Sequence, residues 1–435
     1  MQYATVKTKM GSIKGIKHAT YDEFRGIPYA KPPTNSLRFR APVAIEPWED
    51  TLNATSFKPK CPQPDLSEVP LYGKEFYDDS FYNHQNSENC LYLNIWCPNR
   101  MEDRVYPVVI WVHGGAFDHG FSYEKEFDGK AYAERDVILV TISYRLGIFG
   151  FLNIPDRKQE DGHTGNYGLL DQISAIRFVK DNIQSFGGDP SNITLMGQSA
   201  GAMSVQALCL SPLTKGLFNK AIMQSGAGIL KGLSAETSLE EGYRFYYAFL
   251  NQLKIGNITE LENETAEQLL NAYASHDSSD GDIMFSPCID DYVLTDSIQK
   301  SIKEGKMYDI PYILGSTSKD LLYEEPSNKG RGMLFDAASD FIEVCNNNGN
   351  NQTYLYYFDH ALPGNQDGAF HSSELWYMFG TLNRCWRPMT KDDVQLSEKM
   401  LDFWTNFIKT GNPNVLTQTQ DKWKKYEGSN VMLFK

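Results

Sequence analysis

No apolar run in this 435-residue chain approaches the roughly 18 residues of a membrane-crossing helix, so no transmembrane segment is expected. The opening MQYATVKTKMGSIKGI lacks the apolar stretch of a secretory signal, which points to the cytoplasm. Secretion after removal of a leader is the alternative. Basic residues are the scarcer charge. The 41 Lys and Arg against 55 Asp and Glu leave a formal net charge of −14 with no basic stripe, which argues against a nucleic-acid partner. Cysteine is sparse as well. Cys61, Cys90, Cys97, Cys209, Cys288, Cys345 and Cys385 are odd in number and lack tight spacing, unlike a disulfide scaffold. No Cys/His spacing suggests a zinc site, and no internal repeat, low-complexity block or long linker divides the chain.

What is present is alternation. PVVIWVH (107–113) and DVILVTIS (136–143) read as buried strands, while Leu170, Ile173, Ile176, Val179 and Ile183 give one buried helical face. FGGDPSN supplies turn and cap residues before the strand-like ITLM. Strand, helix and strand at this spacing imply an α/β fold with a mostly parallel sheet flanked by helices. Residues 228–306 are richer in Glu, Ser and Asn and read as helical insertions over one end of the sheet. Strand signals return at IPYILGS (310–316) and TYLYYFD (353–359), and Leu396, Met400, Phe403, Trp404 and Phe407 mark a final amphipathic helix stopped by Gly411 and Pro413. A single domain, 1–435, with insertions near 61–90 and 228–306 over the C-terminal edge of the sheet, is the expected organisation.

The chemistry centres on Gly197-Gln198-Ser199-Ala200-Gly201. A serine between glycines, after a strand and before a helix, fits a sharp turn that exposes its hydroxyl; a side chain at either flank would collide with the adjoining elements. The helix N-terminus then aims amides and a positive dipole at a developing oxyanion. VIWVHGGAF (109–117) ends another strand in small residues whose N–H groups can face a substrate carbonyl. A serine nucleophile needs a base, and the base an orienting acid, in the chain order Ser, acid, His. His276, His360 and His371 follow Ser199. His371, in the loop of GAFHSSELWYMFG after a strand, is favoured as the base. Asp320, in the turn after PYILGS, is favoured as the acid over Glu324 and Glu325, which read as solvated loop charges.

With these residues in place the chain resembles the type-B carboxylesterase family of α/β-hydrolases nearly end to end. The resemblance rests on FRGIPYAKPP (24–33), LRFRAP (37–42), SENCLYLNIW (87–96), the whole of 165–205, AIMQSG (221–226) and FIKTGNPN (407–414). It implies the α/β-hydrolase fold, a large mixed and mostly parallel sheet with helical insertions over the site. It also implies Ser199 as nucleophile, His371 as general base, Gly115, Ala116 and Ala200 as oxyanion positions, Gly114 as support of that loop, and Ser225 as a buried serine beside the acid. The implied activity is hydrolysis of small or moderately sized carboxylic esters, with aromatic esters among the candidates, through an acyl-enzyme and with no metal or organic cofactor. A lipase of the same family and a non-catalytic interaction module are the alternatives. Oligomeric state is left open.

Departures from the family pattern carry expectations of their own. The acid position, usually Glu, is Asp320, one methylene shorter, so the turn and the His371 loop must sit closer together. Cys61 and Cys90 match a disulfide pair of secreted relatives but are expected reduced here. Only 51 positions separate Asp320 from His371, which implies a trimmed lid and a more open gorge. The segment 62–89 has no Trp for a choline cation. Its Tyr72, Phe76, Tyr77, Phe81 and Tyr82 line the gorge mouth or pack the loop against the body.

Overall fold

The segment Tyr106–Val112 is buried at all but one position, and its residues alternate between two cores. Val108, Ile110 and Val112 join one apolar cluster, whereas Val109 and Trp111 join a second on the opposite face. A strand covered on both faces reads as a continuous apolar run, because the side-chain period of two has no solvent side to display. The chain was described from a computed structural model, which covers residues 2–82, 84–99, 104–229, 236–275, 285–321, 327–350, 352–364, 366–415 and 421–435. His276, Glu324 and Glu325 lie outside these residues.

Among the described residues the strands are β1 (Gln2–Thr8), β2 (Gly11–Lys17), β3 (Tyr21–Pro28), β4 (Leu52–Asn53), β5 (Tyr92–Pro98), β6 (Tyr106–Val112), β7 (Ile138–Ile142), β8 (Gly188–Gln198), β9 (Lys220–Gln224), β10 (Tyr312–Thr317), β11 (Thr353–Phe358) and β12 (Val431–Phe434). They form one sheet in the order β1-β2-β3-β5-β7-β6-β8-β9-β10-β11-β12, with β4 on β2. Pairing is antiparallel from β1 to β7 and parallel from β7 to β12. The result is a mixed, mostly parallel sheet with helices on both faces, the α/β-hydrolase architecture. The helix Tyr167–Asn182 packs on one cluster and Lys391–Thr410 on the other.

The chain runs from β6 to β7 on one side and then crosses to β8 on the other side of β6. Loops after β6 and β8 therefore diverge and leave a crevice at their C-terminal ends, where open α/β sheets bind ligands. One boundary differs from the sequence reading. Gly188–Asn192 reads as a turn, but Gly188 pairs with Tyr106 across a register shift and begins β8. The final helix runs over Lys391–Thr410 and ends at Gly411, whose φ of 77° makes the left-handed cap. In the 228–306 stretch the described residues form the helices Leu239–Leu253, Ile258–Asn263, Ala266–Ala274 and Ile298–Lys303.

Candidate active site

Ser199 follows directly on β8 and caps the helix Ala200–Leu208 with φ 56° and ψ −129°, a backbone conformation that costs a non-glycine residue about 1–3 kcal/mol. Its surroundings over-determine that conformation. A Cβ on Gly197 would stand 2.5 Å from the Gly201 carbonyl carbon, and one on Gly201 would stand 2.1 Å from the Val112 oxygen. Behind the serine, a Cβ on Gly226 would lie 2.2 Å from the Ser199 oxygen, and the Ser199 N–H donates to Gln224 O at 2.9 Å. Gly226 was the missed member of AIMQSG: the end of β9 presses on the turn only because that residue has no side chain.

His371 is buried in the loop before the short helix Leu375–Met378. Its Nδ1–H donates to Asp320 Oδ1 at 2.5 Å, which leaves Nε2 as the acceptor nitrogen. Asp320 is also buried, and its carboxylate accepts from the N–H of Thr317 and of Leu321, each at 2.9 Å. The short aspartate reaches the imidazole because its turn is stitched to the histidine loop. Lys319 N–H donates to Ala369 O at 2.8 Å, and Lys319 bridges Phe370 in parallel fashion. Burial pulls the His371 pKa down, yet the charge of Asp320 and its hydrogen bond outweigh that effect and leave it above its usual value. Glu374, fully buried nearby, is pushed up to about 7 by burial and then by the charge of Asp320.

The Nε2 of His371 is held by the neighbour of Ser199 in sequence rather than by Ser199 itself. It accepts a hydrogen bond from the Gln198 side-chain amide at 3.1 Å, and among the described residues Ser199 Oγ has no hydrogen-bond partner. Gln198 escaped the sequence reading, since nothing in its spacing shows a contact across 173 positions. His360 lies elsewhere, bonded through Nε2 to Asp393 at 2.8 Å.

The loop after β6 carries Gly114, Gly115 with φ 101° and Ala116 with φ 50°. A Cβ on Gly114 would meet Gln198 O at 2.8 Å and Ser199 Cβ at 3.0 Å, so that glycine lets the two turns touch. The N–H groups of Gly115, Ala116 and Ala200 have no hydrogen-bond partner among the described residues. Ala200 is the first residue of its helix, where the N–H has no intrahelical acceptor. Ser225 has φ 50° and donates its N–H to Gly315 O at 2.8 Å, but its buried hydroxyl has no partner among the described residues and so does not bond Asp320.

Ser199, Gln198, His371, Gly115 and Ala116 line one cavity of about 240 Å³. Tyr72, Phe76 and Tyr77 line it too, whereas Phe81 is exposed and Tyr82 packs near Phe57. This segment is pinned from below by Glu75, which accepts from Trp376 and Trp386 Nε1 at 2.8 Å each and pairs with Arg387 at 3.0 Å. Tyr72 OH also donates to His371 O at 3.3 Å. Cys61 and Cys90 are buried, unbridged and in hydrogen-bond contact. Among the described residues no group of His, Cys, Asp and Glu is arranged to hold a metal, and no helix is long and apolar enough to cross a membrane.

Comparison with known proteins adds four findings. A profile described as "Carboxylesterase family" matches residues 2–332 and 333–435. The para-nitrobenzyl esterase of Bacillus subtilis is 34% identical, with 95% of this chain and 91% of that protein covered. Carboxylesterase 4A of Bos taurus is 31% identical over 94% of this chain and 87% of its own. A solved PNB esterase superimposes with a TM-score of 0.85 at 32% identity, covering 100% of this chain and 96% of that one.

Proposed function

The chain belongs to the carboxylesterase family and is a carboxylic-ester hydrolase, and from that premise we propose that Ser199, His371 and Asp320 are its catalytic residues. The observation that supports this reading best is the shared cavity wall. A strained, solvent-reachable serine and a buried histidine oriented by a carboxylate face the same space, and free N–H groups border it.

In the proposed reaction Ser199 Oγ attacks the ester carbonyl as His371 Nε2 takes its proton. Asp320 fixes the Nδ1–H tautomer and stabilises the imidazolium. The N–H groups of Gly115, Ala116 and Ala200 donate to the tetrahedral oxyanion, each worth about 3–4 kcal/mol when aligned. Collapse expels the alcohol, protonated by His371, and a water activated by the same nitrogen hydrolyses the acyl-enzyme. Before attack, the Gln198 amide has to yield Nε2 to the serine. Gly114 supports the oxyanion loop, and Ser225 supports the end of β9. The reaction so written uses no cofactor or metal.

The substrate reading is a small or moderately sized ester. It is supported by the cavity volume and by the aromatic side chains of Tyr72, Phe76 and Tyr77 along it. We further read 1–435 as one catalytic domain with insertions at 61–90 and 228–306 and a trimmed lid. We also read the protein as cytoplasmic, with no nucleic-acid partner. A fluorophosphonate probe tests the assignment: covalent mass on the peptide containing Ser199 is expected, and labelling elsewhere would overturn it.

A further inference from the structure

The cavity that holds Ser199 also contains two carboxylates that the reaction does not use. Glu124 and Glu126 line it, among walls that are otherwise largely apolar. Glu124 is anchored, with Oε1 accepting from Phe121 N–H at 2.9 Å. The backbone of Glu126 is held where its carbonyl accepts from Thr381 Oγ1 at 3.0 Å. The two side chains touch, and Tyr77 bonds Glu124. Glu126 is only 1% exposed, and its Oε2 has no hydrogen-bond partner among the described residues.

The adjacent Lys125 pairs with Asp78 at 2.5 Å, so its charge only partly offsets that of Glu126, and no ion pair among the described residues involves Glu124 or Glu126. Burial pushes both carboxyls up, Glu126 further because Glu124 stands beside it. A wall built only for packing would be served by a leucine. A buried carboxylate oxygen without a donor is instead a place where a ligand can supply what the protein does not.

We propose that Glu126, with Glu124 beside it, forms a subsite of the Ser199 cavity that accepts the N–H of a protonated amine carried by the ester. The inference rests on the reading of Ser199 as the nucleophile of this cavity. An ammonium N–H fits on two counts: it donates to Oε2, and its charge offsets the pair in a site shielded from water. A quaternary ammonium supplies the charge without the donor.

Three near-isosteric acetates separate these terms, with acetic acid release followed in a pH-stat: 2-(dimethylamino)ethyl acetate, acetylcholine and neutral 3,3-dimethylbutyl acetate. The expected kcat/KM for the tertiary amine exceeds that of the neutral ester by about tenfold or more, with acetylcholine between them. Glu126→Leu brings that ratio to about one, and Glu126→Gln, which retains size and an acceptor, leaves it intermediate. Thermal melting reports whether each variant is folded, and the glutamine variant carries the test if the leucine variant is not. Equal kcat/KM for the amine and neutral esters in the wild type, or an unchanged ratio in the variants, overturns the subsite. Acetylcholine matching the tertiary amine overturns the assignment to an N–H donor. Failure of the nucleophile reading shows separately, as p-nitrophenyl acetate turnover that survives Ser199→Ala.

Discussion

The side-chain amide of Gln198 donates to Nε2 of His371 at 3.1 Å, occupying the nitrogen that receives the proton of Ser199 in the proposed reaction. The proposed nucleophile and base thus line one cavity, with a third residue holding the histidine. Replacing that amide by a carboxylate puts a negative charge beside the imidazole and favours the imidazolium. Gln198→Glu is expected to move the acidic limb of the kcat/KM profile upward by about one pH unit or more. A profile that coincides with wild type would show that Gln198 does not contact the base in solution.

The wild-type acidic limb follows from His371. Its pKa lies above the usual value, since burial lowers it less than Asp320 raises it. The base works when neutral, so activity grows as pH rises through that value and falls away below it. Glu374 adds a smaller upward push. Glu374 is itself pushed up to about 7 and carries that charge only toward neutral pH, so Glu374→Gln is expected to shift only the upper part of the limb to lower pH, measured on p-nitrophenyl butyrate through the acidic and neutral range.

Asp320 is more than a nearby charge. Its carboxylate accepts from two backbone N–H groups of its own turn while receiving the imidazole N–H. Asp320→Asn keeps the size but loses the acceptor on that oxygen or the tautomer control, and kcat is expected to fall about a thousandfold or more. Asp320→Glu keeps the charge, yet the extra methylene displaces the carboxylate within a turn stitched to the histidine loop. Its expected loss is roughly a hundredfold, despite the family preference for glutamate there. Near wild-type turnover by Asp320→Glu would show that the loop spacing adapts freely.

The elbow glycines carry a stability prediction. A methyl on Gly201 meets the Val112 oxygen at 2.1 Å, a contact that only backbone movement relieves. Gly201→Ala is expected to destabilise the fold by about 1–3 kcal/mol and to reduce turnover as the serine shifts. Differential scanning calorimetry with parallel kinetics checks both.

Much of this was legible in the sequence for a physical reason. The serine elbow and the oxyanion loop are local: each is fixed by glycines and small residues within a few positions of a strand end. Chain order then narrowed the candidates to His371 and Asp320, which the fold brings into hydrogen-bond contact, and the buried strands announced themselves as continuous apolar runs. Contacts between distant segments were not legible. Gln198 on His371, Glu75 under Trp386 and Arg387, and Glu126 beside the cavity depend on how loops fold over the sheet, and no periodicity encodes that. The shortened aspartate raised the right question of loop spacing, but its answer is the Lys319–Ala369 hydrogen bond. Ser225 is buried as expected, its hydroxyl has no partner among the described residues, and the close packing on the Ser199 turn belongs to the neighbouring Gly226.

The most direct test of the central claim is p-nitrophenyl butyrate turnover by Ser199→Ala, with thermal melting to establish that the variant is folded. The account predicts loss of nearly all turnover with the melting midpoint retained. Turnover at the wild-type level in a folded Ser199→Ala chain would contradict it.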